Sequence, residues 1–222
     1  MRTKTLLCAA ALAAGVATSM AQSNVYSLNV VGYVNVPTTG GGLFNMLANP
    51  LNNANNSITN IFSTAQDGDQ IYRWNVSIQD LSATIYTYSA FLHSWDGNFN
   101  LNPGEGVFYL NAGSNATNTF VGDVIQGPYT NQIVGSGSFN AIGSSAPLGG
   151  SFTNSIGGLA PSDGDQVYTW SVSAQDLGGT IATYSAFLHS WDNTAITVNP
   201  GIGFFYLGAG ANQTWVRNFT VQ

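Results

Sequence analysis

A thirty-residue stretch occurs twice in this chain of 222 residues. Residues 67–96 read DGDQIYRWNVSIQDLSATIYTYSAFLHSWD, and residues 163–192 read DGDQVYTWSVSAQDLGGTIATYSAFLHSWD. The copies lie 96 positions apart and differ at 7 of 30 positions, so 23 positions are identical. Self-similarity at a fixed offset indicates a repeated structural unit. We therefore expect two tandem modules related by internal duplication.

The residues in and around the repeat favour strands rather than helices. Short runs of Val, Ile, Tyr, Phe, Trp and Thr are separated by Gly, Pro and Asn, which is typical of an all-β protein. In the first copy Tyr72, Trp74 and Val76 alternate with Arg73 and Asn75. This period of two predicts a strand with a packed Tyr/Trp face and a solvated Arg73 face. We expect an all-β fold of two β-sandwich-like modules.

The first 21 residues predict a cleaved secretory signal peptide. Arg2 and Lys4 form a basic head, residues 6–16 form an apolar run, and residues 19–21 (Ser-Met-Ala) end the segment with small residues at the two recognised positions. The apolar run is shorter than the ~20 residues of a transmembrane helix, so no transmembrane segment is expected in the mature chain. We expect the mature protein to begin at Gln22 and to be secreted, on the outer cell surface or in the periplasm.

The expected modules comprise residues 22–127 and 128–222, with the boundary at Gly127-Pro128. Outside the repeat the two halves match weakly. Phe44-Asn45 parallels Phe139-Asn140, and residues 33–35 (Tyr-Val-Asn) parallel residues 129–131 (Tyr-Thr-Asn). The join between the modules is short, which predicts that they touch.

Charge and cysteine content limit the partners of the mature chain. After residue 21 only Arg73 and Arg217 are basic, and these two positive charges against ten acidic residues give a formal net charge of −8. Nucleic acids are bound through basic patches, which two arginines cannot form, so no nucleic-acid partner is expected. The only cysteine, Cys8, lies in the signal peptide, so the modules must be held together by packing.

Several segments resemble a group of uncharacterised secreted bacterial proteins. They are VYSLNVVGYVNV (25–36), LANPLNN (47–53), DGDQIYRW (67–74) and LNPGEGVFYLN (101–111). The group shares a GYVNV-type start and ANPL, DG-x-x-IY-x-W and PGEGFF segments. The second half departs from this pattern with SSAPLGG (144–150) and NPGIGFF (199–205). The resemblance implies a small extracellular β-sandwich module and implies no activity.

The composition of the repeat argues against catalysis. Its last four residues, His-Ser-Trp-Asp, are the residue types of a Ser/His/Asp hydrolase, but adjacent strand residues face opposite ways and no G-x-S-x-G elbow is present. Glu105 is the only glutamate, and its counterpart is Ile202, whereas a glycosidase needs two carboxylates. We expect the protein not to be an enzyme.

The same four residues are the candidate ligand site. Sugars stack on exposed tryptophan rings while carboxylates and amides bind their hydroxyl groups. The alternative is that these aromatic residues pack inside each module. The candidate residues are His93, Trp95 and Asp96 in the first module and His189, Trp191 and Asp192 in the second.

The Asp-Gly-Asp turn that opens each copy is a candidate calcium site. Ca²⁺ prefers oxygen ligands, which aspartates and backbone carbonyls supply. The EF-hand spacing is absent because Ile71 takes the fifth position of such a loop, and an ordinary turn is the alternative. No other cofactor is expected. The candidate ligands are Asp67, Asp69, Asp163 and Asp165.

These observations favour a secreted, non-enzymatic structural or interaction protein of the cell surface or extracellular matrix. Its expected partners are polysaccharide or other copies of itself. The first strand, residues 25–36, either pairs within its own sheet or inserts into a neighbouring molecule to give a head-to-tail polymer. The alternative function is a carbohydrate-binding protein with one aromatic/Asp site per module.

Overall fold

The computed structural model describes residues 30–151 and 157–220. The predicted signal peptide and the start of the first predicted strand lie outside these residues. The fold is nearly all β, with 52% strand and 2% helix arranged in several sheets, which confirms the predicted fold class. Within the described ranges, no helix has the length and apolar character needed to cross a lipid bilayer.

Among the residues that the structure describes, strands follow one another along both halves, with one short helix. The first half contains β1 (Val31–Thr38), β2 (Leu43–Ala48), α1 (Ile58–Ile61), β3 (Gln70–Asn75), β4 (Asp80–Ser89), β5 (Ser94–Trp95), β6 (Gly106–Asn111) and β7 (Ala116–Asp123). The second half contains β8 (Gly127–Ile133), β9 (Ser138–Ile142), β10 (Gly150–Ser151), β11 (Gln166–Ser171), β12 (Asp176–Ser185), β13 (Ser190–Trp191), β14 (Thr197–Val198), β15 (Phe204–Gly208) and β16 (Gln213–Phe219).

Each half combines a five-stranded antiparallel sheet with a two-stranded ribbon. The strand orders are β2-β6-β3-β4-β5 with ribbon β1-β7, and β9-β15-β11-β12-β13 with ribbon β8-β16. In each half the ribbon covers one face of the sheet and encloses an apolar core, with Phe62 and Phe120 central in the first and Phe204 and Trp215 in the second. Strands β10 and β14 pair separately.

The first strand pairs within its own chain. Strand β1 runs antiparallel to β7, from Val31 opposite Asp123 to Thr38 opposite Ala116. Of the two alternatives for this segment, the ordinary strand is the one that residues 31–38 adopt.

The two five-stranded sheets pack face to face around a third apolar core. Met46, Phe108 and Phe205 are its buried centre. The predicted packed face of β3 contributes Tyr72 and Trp74 to this core. The alternation therefore predicted a packed Tyr/Trp face, whose packing partner is the other half of the chain. The opposite face, predicted to be solvated, is covered as well: Ile71 is fully buried in the first core and Arg73 is half-buried.

Reciprocal hydrogen bonds join the two sheets. Trp74 donates its indole N–H to the carbonyl oxygen of Phe139 at 2.7 Å. The side-chain oxygen of Gln79 accepts the Phe139 amide at 2.7 Å. Each half thus places a tryptophan and a glutamine from its β-hairpin on the edge strand of the other, with approximate two-fold symmetry. In the second half the donors and acceptors are Trp170 and Gln175, and both bond to the backbone of Phe44.

The two Pro-Gly turns complete these contacts. The Ala48 amide donates to Gly201 at 3.0 Å, and the Gly143 amide donates to Gly104 at 3.0 Å. Each turn therefore pairs with the end of the edge strand of the opposite half. The approach is so close that a Cβ on Gly143 would lie 2.3 Å from the Cβ of Ala48.

Two buried asparagines fix the correspondence between the halves. Asn45 donates to the carbonyl of Thr39 at 3.0 Å, and Asn140 makes the equivalent bond to Val134 at 2.9 Å. Both bonds give an offset of 95 residues, which aligns Tyr33 with residue 128. The weak sequence match of residues 33–35 with residues 129–131 is therefore one residue out of register.

Candidate functional site

The repeat ends in a turn that projects an apolar pair into solvent. Residues 90–93 join β4 to β5, and residues 186–189 join β12 to β13. Phe91 and Phe187 are each 90% exposed, and Leu92 and Leu188 are each 67% exposed. Single exposed apolar residues are common on soluble proteins, but an almost fully exposed Phe-Leu pair, present twice, is a candidate contact surface. We call these turns the apolar tips.

Hydrogen bonds hold each tip in shape. The Ala90 amide donates to Asp67 Oδ1 at 2.7 Å, and the Leu92 amide donates to Ser89 Oγ at 3.3 Å. His93 follows in the left-handed region, with φ of 51°, which reverses the chain into β5. The tip is thus displayed by its backbone rather than by contacts of its apolar side chains. The second tip repeats these features with Asp163, Ala186, Ser185, Leu188 and His189.

Asp96 closes the base of the first tip. Its Oδ1 accepts the Thr87 amide at 2.9 Å, and its own amide donates to the Thr87 carbonyl at 3.0 Å. Asp192 makes the same pair of bonds with Thr183, at 2.7 and 3.0 Å. Both aspartates are exposed, and they pin β5 and β13 to the preceding strands.

Trp95 lies inside the first core. It is 7% exposed and packs edge-on against Phe62 and Tyr88, with ring centroids 6.3 and 5.5 Å apart. Its indole N–H has no hydrogen-bond partner among the described residues. A ring in this position has no face for a sugar, which does not fit the predicted stacking site. The packing alternative describes Trp95.

The remaining members of the predicted ligand site do not converge. His93 and Asp96 are exposed whereas Trp95 points inward, and in the second half His189 and Asp192 are exposed around the half-buried Trp191. The Trp191 ring packs against Tyr184 and Tyr206 at 5.3 and 6.4 Å. The segment builds a tip and its base rather than a sugar platform.

Asp69 is buried, and both of its carboxylate oxygens accept hydrogen bonds from the protein. It is 1% exposed and accepts the amides of Gln66 and Ala112 at 2.7 and 2.8 Å, together with a short bond from the Tyr109 hydroxyl. Burial raises the pKa of Tyr109 far above its ordinary value, and the Asp69 hydrogen bond and charge raise it further. The phenol is therefore a permanent donor at neutral pH.

Asp165 repeats this arrangement in the second half. It accepts from the amides of Ser162 and Ala209, each at 2.7 Å, and from the hydroxyl of Tyr206 at 2.6 Å. The Gln213 side chain donates a fourth bond at 2.9 Å. Burial, followed by the bond to Asp165, raises the pKa of Tyr206 in the same direction.

These bonds do not fit the predicted calcium sites. The oxygens of Asp69 and Asp165 are surrounded by N–H and O–H donors, whose positive ends point at the space that a cation would need. Asp67 and Asp163 each use an oxygen to hold a tip. Within residues 30–151 and 157–220, no group of three or more His, Cys, Asp or Glu side chains is arranged to hold a metal.

The exposed Phe-Leu pairs were missed by the sequence reasoning. The available signal was an apolar Ala-Phe-Leu run, unchanged in both copies, that directly follows a serine and directly precedes a histidine. Periodicity assigns such a run to a strand, whereas the structure forms a turn there because Asp67 and Ser89 take the amides that a strand partner would bind. Comparisons of the chain with protein-family models, with curated proteins and with solved structures found no match.

Proposed function

We propose that this is a secreted, non-enzymatic interaction protein of the cell surface or extracellular matrix that assembles with other copies of itself through the two apolar tips. The observation that carries the proposal is the pair of Phe-Leu tips, built by identical hydrogen bonds and left uncovered. A stable fold has no need of an exposed phenylalanine at either position, since both are outside all three cores.

The arrangement of the sheets directs the tips to opposite sides of the molecule. Phe108 of β6 faces Phe205 of β15 at 5.8 Å, while β3 bonds to β9 and β11 bonds to β2. The sheets therefore overlap mainly through these six strands, with Leu81 of β4 and Leu177 of β12 also packed against the third core. Strands β4 and β5 extend beyond the overlap on one side, and β12 and β13 extend on the other. Contact points on opposite sides allow copies to join in series.

The same chain offers an apolar receptor for a tip. A cleft of about 340 Å³ lies between the halves beside β2 and β14. Pro37, Met46, Leu47, Val172 and Ile196 are among its lining residues. We call it the apolar cleft. Its volume exceeds that of a phenylalanine side chain, and its lining matches the tip in polarity.

The energetics favour weak, repeated contacts. Burying one phenylalanine and one leucine side chain contributes about 3–6 kcal/mol before the cost of association is subtracted. A millimolar dissociation constant corresponds to about 4 kcal/mol, so one tip in one cleft associates at about millimolar concentration at best, and assembly in series is correspondingly weak. Since the mature chain is acidic, we expect assembly to increase with salt, which screens the repulsion between copies.

Sedimentation velocity across a concentration series, on a chain beginning at Gln22, tests the proposal. We expect concentration-dependent assembly that is lost when both tips carry Phe→Ser and Leu→Ser substitutions at 91, 92, 187 and 188, with an unchanged melting temperature. Val121→Ser, at a strand residue with 41% exposure, is the matched control and should leave assembly intact. A native chain that stays monomeric at about millimolar concentration and high salt, or a four-fold variant that still assembles, would refute the role of the tips.

A further inference from the structure

A second cleft lies between the halves at the position that the approximate two-fold relates to the apolar cleft. Its volume is about 400 Å³. It contains Trp74 and Ala141 where the apolar cleft contains Trp170 and Met46. The two clefts thus have the same framework, formed by one hairpin, one Pro-Gly turn and one edge strand.

The second cleft is polar where the first is apolar. The differences fall on three separate segments of chain: β3, the Pro-Gly turn and the ribbon strand. At corresponding positions of the two clefts Arg73 replaces Thr169, Glu105 replaces Ile202, and Gln132 replaces Pro37. On the ribbon strand Tyr129 and Asn131 line the second cleft, whereas their counterparts Val34 and Val36 lie beside Gly201. We call this site the polar cleft.

One buried acceptor in the polar cleft lacks a partner. Asn131 donates its amide to the Pro103 carbonyl at 2.8 Å, but its buried Oδ1 accepts no hydrogen bond within the described chain. An unsatisfied buried acceptor costs about 1–3 kcal/mol. The oxygen lies beside Gly104 and is closed to water in the free chain, so a ligand that brings an O–H or N–H donor removes this cost when the side chain turns toward it.

The two charged side chains of the cleft, Arg73 and Glu105, have hydrogen-bonding atoms that remain available to a ligand. The Arg73 guanidinium lies 4.4 Å from the centre of the Phe99 ring, and no ion pair or side-chain hydrogen bond engages it among the described residues. Glu105 uses Oε2 to accept the Asn102 amide at 2.9 Å, which leaves Oε1 for a ligand. Tyr129 keeps its hydroxyl proton, because burial and then the Glu105 charge raise its pKa.

We propose that the polar cleft binds an acidic saccharide, with the carboxylate on Arg73 and sugar hydroxyls on Glu105 and Asn131. The planar guanidinium matches a carboxylate in a two-pronged bond. Glu105 disfavours a doubly charged phosphate, since it would be repelled at close range. Glu105 Oε1 and Asn131 Oδ1 accept hydroxyl donors, and the volume admits one or two sugar rings.

This site is separate from the tips and from the predicted His/Trp/Asp site. None of its residues belongs to a tip, so loss of assembly and loss of sugar binding are independent outcomes. Because residues 30–151 and 157–220 form this site once, we expect one saccharide per chain instead of one per module.

Calorimetric titration of the chain beginning at Gln22 tests this, with glucuronate and a diuronate as ligands and glucose, glycine and inorganic phosphate as comparisons. We expect one site per chain and uronate affinity at least about tenfold above that for glucose, a difference of about 1.4 kcal/mol. Arg73→Thr and Glu105→Ile install the residues that the apolar cleft already accommodates. Each should reduce uronate affinity by about tenfold or more while the melting temperature stays within a few degrees. Arg73→Lys should give an intermediate loss of uronate affinity, since it keeps the positive charge but not the planar guanidinium that makes two parallel hydrogen bonds.

Three results would overturn the proposal: no heat with either uronate at about ten millimolar, undiminished binding by Arg73→Thr, or tighter binding of glycine or phosphate than of uronate. Asn131→Val, which installs the residue found at the corresponding position 36, tests the site without removing a charge. It is informative even if a charge variant fails to fold. It should weaken binding while removing the unsatisfied acceptor, so that the free chain is as stable as the native chain or more so.

Discussion

The buried Asp–Tyr pairs predict a steep loss of stability in alkali. Tyr109 and Tyr206 have folded-state pKa values raised above the ordinary value of 10.0. Above pH 10 the unfolded chain therefore releases these two protons while the folded chain keeps them. The stabilisation is complete below pH 10 and is lost as the pH rises.

The size of the effect follows from the number of protons. Each proton held only by the folded state changes the free energy of unfolding by about 1.4 kcal/mol per pH unit. Tyr109 and Tyr206 give a slope of about 2.7 kcal/mol per pH unit, or about 5 kcal/mol between pH 10 and 12. Tyr129, whose pKa burial and the Glu105 charge also raise, adds a contribution of the same sign that the control variant below retains. After residue 21 the chain has neither lysine nor cysteine, so tyrosines are the only side chains that titrate near pH 10.

Urea unfolding from pH 8 to pH 12, followed by tryptophan fluorescence, measures this slope. The double variant Tyr109→Phe, Tyr206→Phe is the control. It should be less stable at pH 8, because Asp69 and Asp165 each lose a donor, yet its stability should fall much less above pH 10. Equal slopes in the two proteins, or a folded chain whose ten tyrosines all ionise near pH 10, would show that the buried pairs do not hold their protons.

The contacts between the halves give two further predictions. Gly143→Ala should destabilise the protein by about 2–4 kcal/mol in urea unfolding, since its methyl group meets Ala48 across the interface. Gly178→Ala, whose nearest contacts are 3.3 Å away, should change stability by less than about 1 kcal/mol, and equal costs would contradict the clash. Trp74→Phe should cost about 1–2 kcal/mol, because the Phe139 carbonyl loses its indole donor; a neutral effect would mean that this bond adds nothing.

The strand pattern was predictable because it depends on local chemistry. The alternation around Trp74 places that side chain on a packed face, and the structure agrees. Asp-Gly-Asp and Pro-Gly turns were also placed by residues that tolerate few other conformations. The alternation carries no information on what covers the packed face, and for Trp74 the cover is the backbone of Phe139, 65 residues away.

The candidate site was less predictable, since its features depend on long-range contacts. Tryptophan in a polar segment fits both a core and a sugar platform, and the edge-on packing of Phe62 and Tyr88 against Trp95 decides for the core. The polar cleft joins Arg73 to Asn131 across the two halves, so no local motif marks it. The signal peptide, the family resemblance and the absence of enzymatic activity stay predictions.

The reciprocal contacts between the sheets have a consequence for the origin of the chain. An interface in which each partner offers the same tryptophan, glutamine and glycine turn to the same strand of the other is the geometry of a homodimer. In this chain the two halves are covalently joined, which fixes their stoichiometry and lets the two sides of the interface differ. A lone half would expose a phenylalanine-rich face and an open sheet edge. Pairing with a second lone half would bury both. Covalent joining also permits one cleft to carry charges while its counterpart is apolar, which a symmetric dimer of identical subunits cannot achieve.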